Sequence, residues 1–200
     1  AIQNLSESLD LIQSTFEAIL RNEVEFQTLL AQEVARADDP EEYVRTYERS
    51  RTMAKLSLIL AGERTGISNT GETDFTGEDL DFSAGGTISG LPVSQSYVNH
   101  LGTWAYTVKC PVEREGQEIG TLYVEYVYDT IDRSLPSDGF YNKQATLYVM
   151  DAQSQRFVLK PKGMGQRSAG HLNLSDFYRA NNIVDEAMLR KADHVGCVSG

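Results

Sequence analysis

The sequence is poor in the residue types that build covalent frameworks and metal centres. It has two cysteines, Cys110 and Cys197, and three histidines, His100, His171 and His194. Two cysteines are too few for a disulfide framework. Their spacing leaves pairing open, but both lie in apolar surroundings, so we expect two free, buried thiols. His194 and Cys197 are close in sequence, yet two ligands do not make a metal site, and we predict no metal and no cofactor.

Long apolar runs and an excess of positive charge are also lacking. No stretch of about 18 apolar residues occurs, so no segment is expected to span a bilayer. Acidic residues outnumber basic ones by 29 to 18, and the net charge of −11 disfavours binding to nucleic acid or to anionic lipid. There is no phosphate-binding loop, zinc-protease helix or nucleophile elbow. The sequence therefore predicts no catalytic residues and no enzyme.

The sequence opens with a long amphipathic helix. Apolar residues recur at steps of three and four, with Glu23 in the one remaining position: Leu5, Leu9, Ile12, Phe16, Ile19, Phe26 and Leu30. This heptad spacing predicts a helix that packs either on its own domain or against a second copy in a homodimer. Asp39 followed by Pro40 predicts a new helix start, and we expect that second helix to run from about Glu41 to Leu60.

Residues 62–135 carry the pattern of an antiparallel sheet. β-branched and aromatic residues dominate two long segments, Thr103–Val112 and Ile119–Tyr128, which a hairpin turn at Glu115-Gly116 would connect. Shorter strands are predicted at Arg64–Ser68, at Glu72–Phe75 and, with Pro92 at an edge or bulge, at Thr87–Tyr97. Another strand pair, Ala145–Met150 with Arg156–Leu159, and a closing helix from about Ser175 to Leu189 follow.

The segment from Val112 to Tyr126 carries a family resemblance. Gly120 occupies the position of the second glycine in a strand–turn–strand motif, and Glu125 occupies the position of the acidic residue that follows it. In this motif, and in the order of long helix, second helix, hairpin and long antiparallel strands, the chain resembles the Cache domains, the extracellular PAS-like sensor modules of bacterial receptors. It differs by having Glu in place of Asp and by lacking an arginine in the strands next to Trp104 and Tyr106, where members that bind amino acids carry one.

The resemblance implies an α+β fold, with long N-terminal helices packed on an antiparallel PAS-like sheet. It divides the chain into a helical stalk (1–61), a membrane-distal PAS-like sensor module (62–135) and the start of a second PAS-like module (136–200). It also implies an extracytoplasmic domain of a membrane protein that binds a small molecule. Helix displacement would then control a kinase, cyclase or chemoreceptor output. Because the chain lacks an initial Met and a signal peptide, we expect a segment of a longer protein that meets the membrane only through flanking segments.

A candidate ligand site follows from the register of the central hairpin. If Glu115-Gly116 is a two-residue turn, Tyr106 faces Glu125 and Val108 faces Tyr123. One side of the sheet would then carry all the candidate ligand-binding residues: Trp104, Tyr106, Tyr123, Glu125 and Asp129. A carboxylate among aromatic rings suits a cationic or hydroxylated small molecule. The alternatives are a carboxylate that is exposed or hydrogen-bonded to a tyrosine, and a structural or dimerisation module without a ligand.

Overall fold

A computed structural model of the protein describes residues 2–48, 53–71, 73–74, 80–83, 86–130, 149–150 and 157–159. Residues Ile19–Ile131 form one compact unit. A second unit combines Ala1–Ala18 with Asp132–Gly200. In that second unit the described elements are the first part of the N-terminal helix and one short strand pair. The sheet and the candidate site both belong to the first unit.

Two helices open the fold. Helix α1 spans Ile2–Arg36, which confirms the predicted long helix. Helix α2 spans Pro40–Arg45, and the Asp39 side chain caps its start by accepting a hydrogen bond from the Glu42 backbone N–H at 3.0 Å. The predicted start of α2 is therefore confirmed. Its predicted extension to Leu60 is wrong, because Met53–Leu60 forms strand β1.

Strand β1 occupies a central position in the sheet, between β2 (Gly66–Ser68) and β8 (Gln117–Val127). Leu56 and Leu58 point to one face and are fully buried, whereas the side chains of Ser57 and Ile59 alternate to the other face. Leucine is a good helix former, so the sequence of this segment permits either structure. Pairing with strands on both sides decides the outcome, because it satisfies the backbone and buries the two leucines at once.

The main sheet is six-stranded and antiparallel, with the order β3-β2-β1-β8-β7-β6. Its remaining strands are β2 (Gly66–Ser68), β3 (Thr73–Asp74), β6 (Tyr97–Val98), β7 (Trp104–Arg114) and β8 (Gln117–Val127). The β2–β3 hairpin and the β7–β8 hairpin confirm the predicted pairs. Glu115 and Gly116 both have positive φ, at 52° and 79°, as expected for the tight turn that connects two long strands.

The single strand predicted over Thr87–Tyr97 is wrong. Its first part folds back on itself as the hairpin of β4 (Thr87–Ile88) and β5 (Leu91–Pro92). Ser89 and Gly90 make that turn with φ of 49° and 81°, and positive φ at both central residues reverses the chain. Only the last part reaches the main sheet, where β6 pairs with the start of β7.

The predicted register of the β7–β8 hairpin is also wrong beyond its first two pairs. Arg114 pairs with Gln117 and Glu113 with Glu118, but Val112 then pairs with Gly120 across a β-bulge. Ile119 is therefore the extra residue, and every later pair on β8 is shifted by one position. The observed register places Tyr106 opposite Tyr126, Val108 opposite Val124 and Cys110 opposite Leu122. Such a shift turns each side chain of β8 to the opposite face of the sheet.

Helix α1 packs on the face of the sheet that the bulge makes apolar. The buried helix residues are Val24, Gln27, Leu30, Ala31, Val34 and Ala35, and the buried sheet residues include Leu56, Leu58, Val108, Val112, Leu122 and Val124. Burying this apolar surface is the main stabilising contribution. Phe26, which belongs to the predicted heptad series, is not part of this contact and is 49% exposed.

Two polar contacts fix the helix to the sheet. Gln27 is fully buried, and its Nε2 donates to the Val108 carbonyl at 2.9 Å while its Oε1 accepts from the Tyr126 hydroxyl at 2.8 Å. At the tip of the hairpin, Arg114 Nε donates to the Ala35 carbonyl at 2.6 Å and Nη2 to the Ala37 carbonyl at 2.8 Å. The guanidinium thus satisfies carbonyls that a helix C-terminus leaves unpaired.

The C-terminal third is described only at β9 (Val149–Met150) and β10 (Phe157–Leu159), which pair antiparallel as predicted. The rest of the predicted second module, the closing helix, His171, His194 and Cys197 lie outside the described residues. Cys110 is free and buried, as predicted. Among the residues described, no helix combines the length and apolarity needed to cross a membrane.

Gly120 offers a test of the packing between β8 and β1. A Cβ at this position would lie 2.7 Å from the Ile59 carbonyl oxygen and 3.2 Å from the Leu60 Cα. Both are backbone atoms, which cannot move aside without shifting β1. We expect Gly120→Ala to lower the free energy of unfolding by about 1–3 kcal/mol, as measured by urea denaturation.

The matched control is Gly86→Ala, because a Cβ there would meet its nearest atom, the Val93 carbonyl oxygen, at 4.0 Å. Its effect should stay within about 0.5 kcal/mol. Equal stability of the two variants would contradict the close approach of β8 to β1 at Gly120.

Candidate functional site

A cleft of about 410 Å³ lies on the face of the sheet opposite α1. It is bounded by the β6 segment on one side and by the loop at residues 80–81 on another. Its lining residues are Lys55, Leu80, Asp81, Gln95, Ser96, Tyr97, Val98, Asn99, His100 and Glu125. The volume lies within the range of small-molecule sites, and most of the lining side chains are polar or charged.

Glu125 is the central charged group of this cleft. Its side chain is 7% exposed, and each carboxylate oxygen accepts one hydrogen bond. Oε2 accepts from the Tyr97 hydroxyl at 2.7 Å and Oε1 accepts from Asn99 Nδ2 at 2.9 Å. A carboxylate oxygen can accept more than one hydrogen bond, so both oxygens keep the capacity to accept a donor from a bound molecule.

The Tyr97 hydroxyl is oriented by a second contact. It lies 2.6 Å from the Thr107 hydroxyl on β7. Because the single hydroxyl hydrogen of Tyr97 is directed to Glu125, Thr107 donates in this pair. Thr107 is itself positioned by Ser94, whose Oγ accepts from the Thr107 backbone N–H at 2.9 Å. The carboxylate is therefore held by a chain of hydrogen bonds that starts in the backbone of the sheet.

Asn99 positions its amide by forming a local turn. Its Oδ1 accepts from the backbone N–H groups of Leu101 and Thr103 at 3.0 and 3.1 Å. The Asn99 N–H also donates to the Thr103 carbonyl at 2.9 Å. These bonds fix the side chain so that Nδ2 is directed at Glu125, and asparagine is well suited to this because its oxygen can bond the backbone two residues on.

A second carboxylate and a cation flank the Glu125 group. Asp81 lies at the exposed edge of the cleft, and hydrogen bonds from the Ser83 side chain and backbone N–H hold its pKa below the usual range. Lys55 lines the cleft from β1, where its Cα pairs with that of Glu125. The lining of the cleft therefore combines two acidic groups with one lysine.

Phe82 covers the sheet next to the cleft. Its ring lies 6.4 Å from the Tyr123 ring, centroid to centroid, and the Lys109 Nζ lies 4.5 Å from its centroid. These contacts are within the range of aromatic and cation–π attraction. Burial, and then the charge of Glu118, raise the pKa of the Tyr123 hydroxyl. Tyr123 thus helps to form the floor beside the cleft.

The structure does not bring the five predicted site residues together. Tyr123 and Glu125 share the cleft face, and Glu125 lines the cleft. Trp104 and Tyr106 are buried on the other face, where Tyr106 meets Glu23 of α1, so the expectation of one shared face is wrong. The bulge after Glu113 is the reason. Asp129 follows the end of β8 and is exposed, and it is not among the residues that line the cleft. Ligand binding by any of the five stays a prediction.

Sequence reasoning missed Tyr97 and Asn99, the two side chains that bond Glu125. They lie on a two-residue strand and the turn after it, and so short a strand gives no measurable periodicity. The only signal is local: an aromatic and an asparagine two positions apart, directly before the turn at Gly102. The missed set of cleft residues also includes Lys55, because its segment was expected to be helical.

Comparison of the fold with solved structures finds ligand-binding domains of bacterial chemoreceptors. The domain of the Pseudomonas aeruginosa PAO1 amino acid chemoreceptor PctC is 20% identical, with a TM-score of 0.60 over 80% of this chain and 76% of that one. That of PctB is 18% identical, with 0.59 over 88% and 73%. That of Campylobacter jejuni Tlp3 is 13% identical, with 0.62 over 92% and 78%.

The sequence comparisons add no relative, since no protein-family profile and no curated protein matches the chain. At these identities the solved structures show the fold alone. The chain has the α+β fold of Cache-type, PAS-like sensor domains, with a helix followed by a curled antiparallel sheet. The predicted resemblance and fold class are confirmed.

Asn99 provides a test of the hydrogen-bonded group in the cleft. Asn99→Ala removes a donor to Glu125 and the acceptor of two backbone N–H groups. We expect the free energy of unfolding to fall by about 1–3 kcal/mol, as measured by chemical denaturation. The exposed neighbour His100 gives the control, since His100→Ala should cost less than about 0.5 kcal/mol. The geometry of the turn would be contradicted if both variants were as stable as the parent.

Proposed function

We propose that this chain is an extracytoplasmic domain that senses a small molecule for a membrane-anchored bacterial receptor. The fold supports this proposal, because the structural neighbours are ligand-binding domains of chemoreceptors. Their role in binding rather than catalysis also favours a sensor over an enzyme. The output domain, a kinase, a cyclase or a chemoreceptor signalling region, would be supplied by another part of the receptor.

The observation that carries the proposal is the oriented, nearly buried carboxylate of Glu125. Two neutral donors, Tyr97 and Asn99, hold it in place without neutralising its charge. A negative charge maintained in a concave site is suited to a positively charged group, which can form short charge-assisted hydrogen bonds. We infer that the ligand places an ammonium group against Glu125.

The charges around Glu125 favour a zwitterion or an amine. Asp81 adds negative charge at the edge of the cleft, and Lys55 adds one positive charge to its lining. The structural neighbours were solved with GABA, with L-Gln and with L-norvaline, and each of these molecules has one amino and one carboxyl group. An amino acid or a related amine is therefore the ligand class that the cleft favours.

We keep the predicted division of the chain as a proposal, with 62–135 as the sensor module, 1–61 connecting it to the membrane and 136–200 beginning a second module. Strand β1 (Met53–Leu60), however, lies within the sheet of the sensor module. Ligand occupancy would be passed on by displacement of α1, because that helix packs on the back of the strands that form the cleft. The contacts of Gln27 with both β7 and β8 support such a coupling.

The outer surface of α1 supports a homodimer. Phe26 and Leu29 are 49% and 59% exposed, and they lie three residues apart on one side of the helix. Large apolar side chains that remain exposed next to each other on a helix are typical of a contact with a partner. We propose that the partner is a second copy of this chain.

A ligand screen with a matched variant tests the proposed function. The wild-type protein is titrated by calorimetry with amino acids, GABA and simple amines, and with carboxylic acids of the same length that lack the amino group. We expect only compounds with the ammonium group to bind. Glu125→Gln keeps the shape but removes the charge, and it should weaken binding by a factor of about 10 to 100.

The control for that experiment is Glu118→Gln, an exposed glutamate on the same strand that should leave affinity unchanged. Equal binding of acids without an amino group would refute the role of Glu125. If no compound of the panel binds, the chain fits a structural or dimerisation module better than a sensor.

The dimer is tested separately by size-exclusion chromatography with light scattering. We expect the wild type to form a dimer at high concentration, and Phe26→Ser with Leu29→Ser to shift it toward the monomer. Gln32→Ser, at an exposed polar position of the same helix, should leave the dimer intact. A wild-type protein that stays monomeric at millimolar concentration would exclude this contact.

A further inference from the structure

A polar cluster lies between α1 and the sheet, on the face opposite the cleft. Its members are Glu23 and Gln27 of α1, Tyr106 of β7, Tyr126 of β8, and Tyr128, which follows β8. The Tyr106 and Tyr126 rings stack with centroids 5.3 Å apart, and Tyr128 contacts Tyr106 at 5.1 Å. Glu23, Gln27, Tyr106 and Tyr126 are not among the residues that line the cleft, whereas the Tyr128 hydroxyl lies 2.7 Å from the hydroxyl of Ser96, which does line it.

Glu23 is the one carboxylate of the cluster. It occupies the position in the heptad series that the sequence pattern left polar. The Tyr106 side chain is its hydrogen-bond partner, and the Tyr126 hydroxyl lies 3.2 Å from the Glu23 backbone oxygen. The titratable groups that face Glu23 from the elements packed against it are therefore the tyrosine hydroxyls of β7 and β8. Tyrosine hydroxyls carry no positive charge that would offset the half-buried carboxylate.

This environment changes the acidity of Glu23. Burial raises its pKa from the ordinary 4.5 to about 7, and the hydrogen bond with Tyr106 opposes part of that rise. Burial is also the largest cause of the raised pKa values of Tyr106 and Tyr126, and the charge of Glu23 adds to both. Each of these groups is thus disfavoured in its charged form by the same apolar surroundings.

We propose that protonation of Glu23 controls how firmly α1 is held on the sheet, so that the domain responds to proton concentration as well as to a small molecule. When Glu23 is neutral, its carboxyl group fits beside Tyr106 and Tyr126 with little desolvation cost. When it is charged, it favours a helix position that admits water. The helix contact then weakens.

The direction of the pH dependence follows from linkage. A carboxyl group whose pKa is higher in the folded chain than in the unfolded chain keeps its proton longer in the folded state. Its contribution to stability is fully present below about pH 4.5 and is lost as the pH rises toward about 7. Most carboxylates act in the opposite direction, because their folded-state pKa is lowered. The Glu23 effect is therefore distinguishable by its sign.

Thermal unfolding between pH 5 and pH 8 tests the proposal. Glu23→Gln keeps a neutral, hydrogen-bonding side chain at every pH, and Glu25→Gln is the control at an exposed position of the same helix. Over this interval the wild type and Glu25→Gln should lose roughly 5–10 °C more in Tm than Glu23→Gln loses. Identical pH profiles of all three proteins would overturn the proposal.

A measurement on the unmutated protein keeps the test valid if Glu23→Gln folds poorly. The carboxyl carbon of Glu23 is followed by NMR in protein labelled at its glutamates, and its titration midpoint should lie near pH 7. Tyr106→Phe, which removes the opposing hydrogen bond, should move this midpoint to higher pH. A wild-type midpoint near 4.5 would overturn the proposal.

Hydrogen exchange separates control of the helix from a general effect on stability. After correction for the intrinsic pH dependence of exchange, amides of residues 19–36 in the wild type should exchange faster at pH 7.5 than at pH 5.5. Amides of the β7–β8 hairpin should change less. A uniform change across the unit, or none, would show that Glu23 does not control the docking of α1.

Discussion

The β-bulge at Ile119 determines which side chains face the helix and which face the cleft. Without the extra residue, β8 would present Tyr123 and Glu125 to α1 and expose Leu122, Val124 and Tyr126. Burying an unpaired carboxylate under the helix is far more costly than shifting one strand by a residue. The hydrophobic pattern of β8 therefore selects the bulged register. The close fit of Gly120 against β1 then fixes its position.

Because of this register, the two faces of the β7–β8 hairpin have different roles: one binds α1 and the other forms part of the cleft. On the helix face, Gln27 bonds the backbone of β7 and the Tyr126 hydroxyl, which joins α1 to both strands. On the cleft face, Thr107, Tyr97 and Asn99 hold the Glu125 carboxylate in a single orientation. Tyr126 and Glu125 are adjacent in sequence. A shift of the backbone at one of them therefore also moves the other.

The sequence was sufficient where local chemistry decides the structure. The heptad spacing predicted α1, Asp39 and Pro40 predicted the start of α2, and the turn at Glu115-Gly116 predicted the long hairpin. It was insufficient where contacts between distant residues decide. Met53–Leu60 became a strand because β2 and β8 pair with it. The bulge depends on which face the helix covers, and the contacts of Tyr97 and Asn99 with Glu125 span 28 and 26 positions. The alternation along β8 selects the bulged register only once the covered face is known, and the contacts of Tyr97 and Asn99 leave no trace in local periodicity.

Arg114 limits the movements that α1 can make. From the tip of the long hairpin, its guanidinium donates to the carbonyl of Ala35, in the last turn of the helix, and to that of Ala37, just after the helix. A slide along the helix axis would break both bonds together, whereas a tilt about that end would preserve them. The hairpin tip is therefore positioned as a pivot that opposes translation of this helix end along its axis and permits a change in tilt.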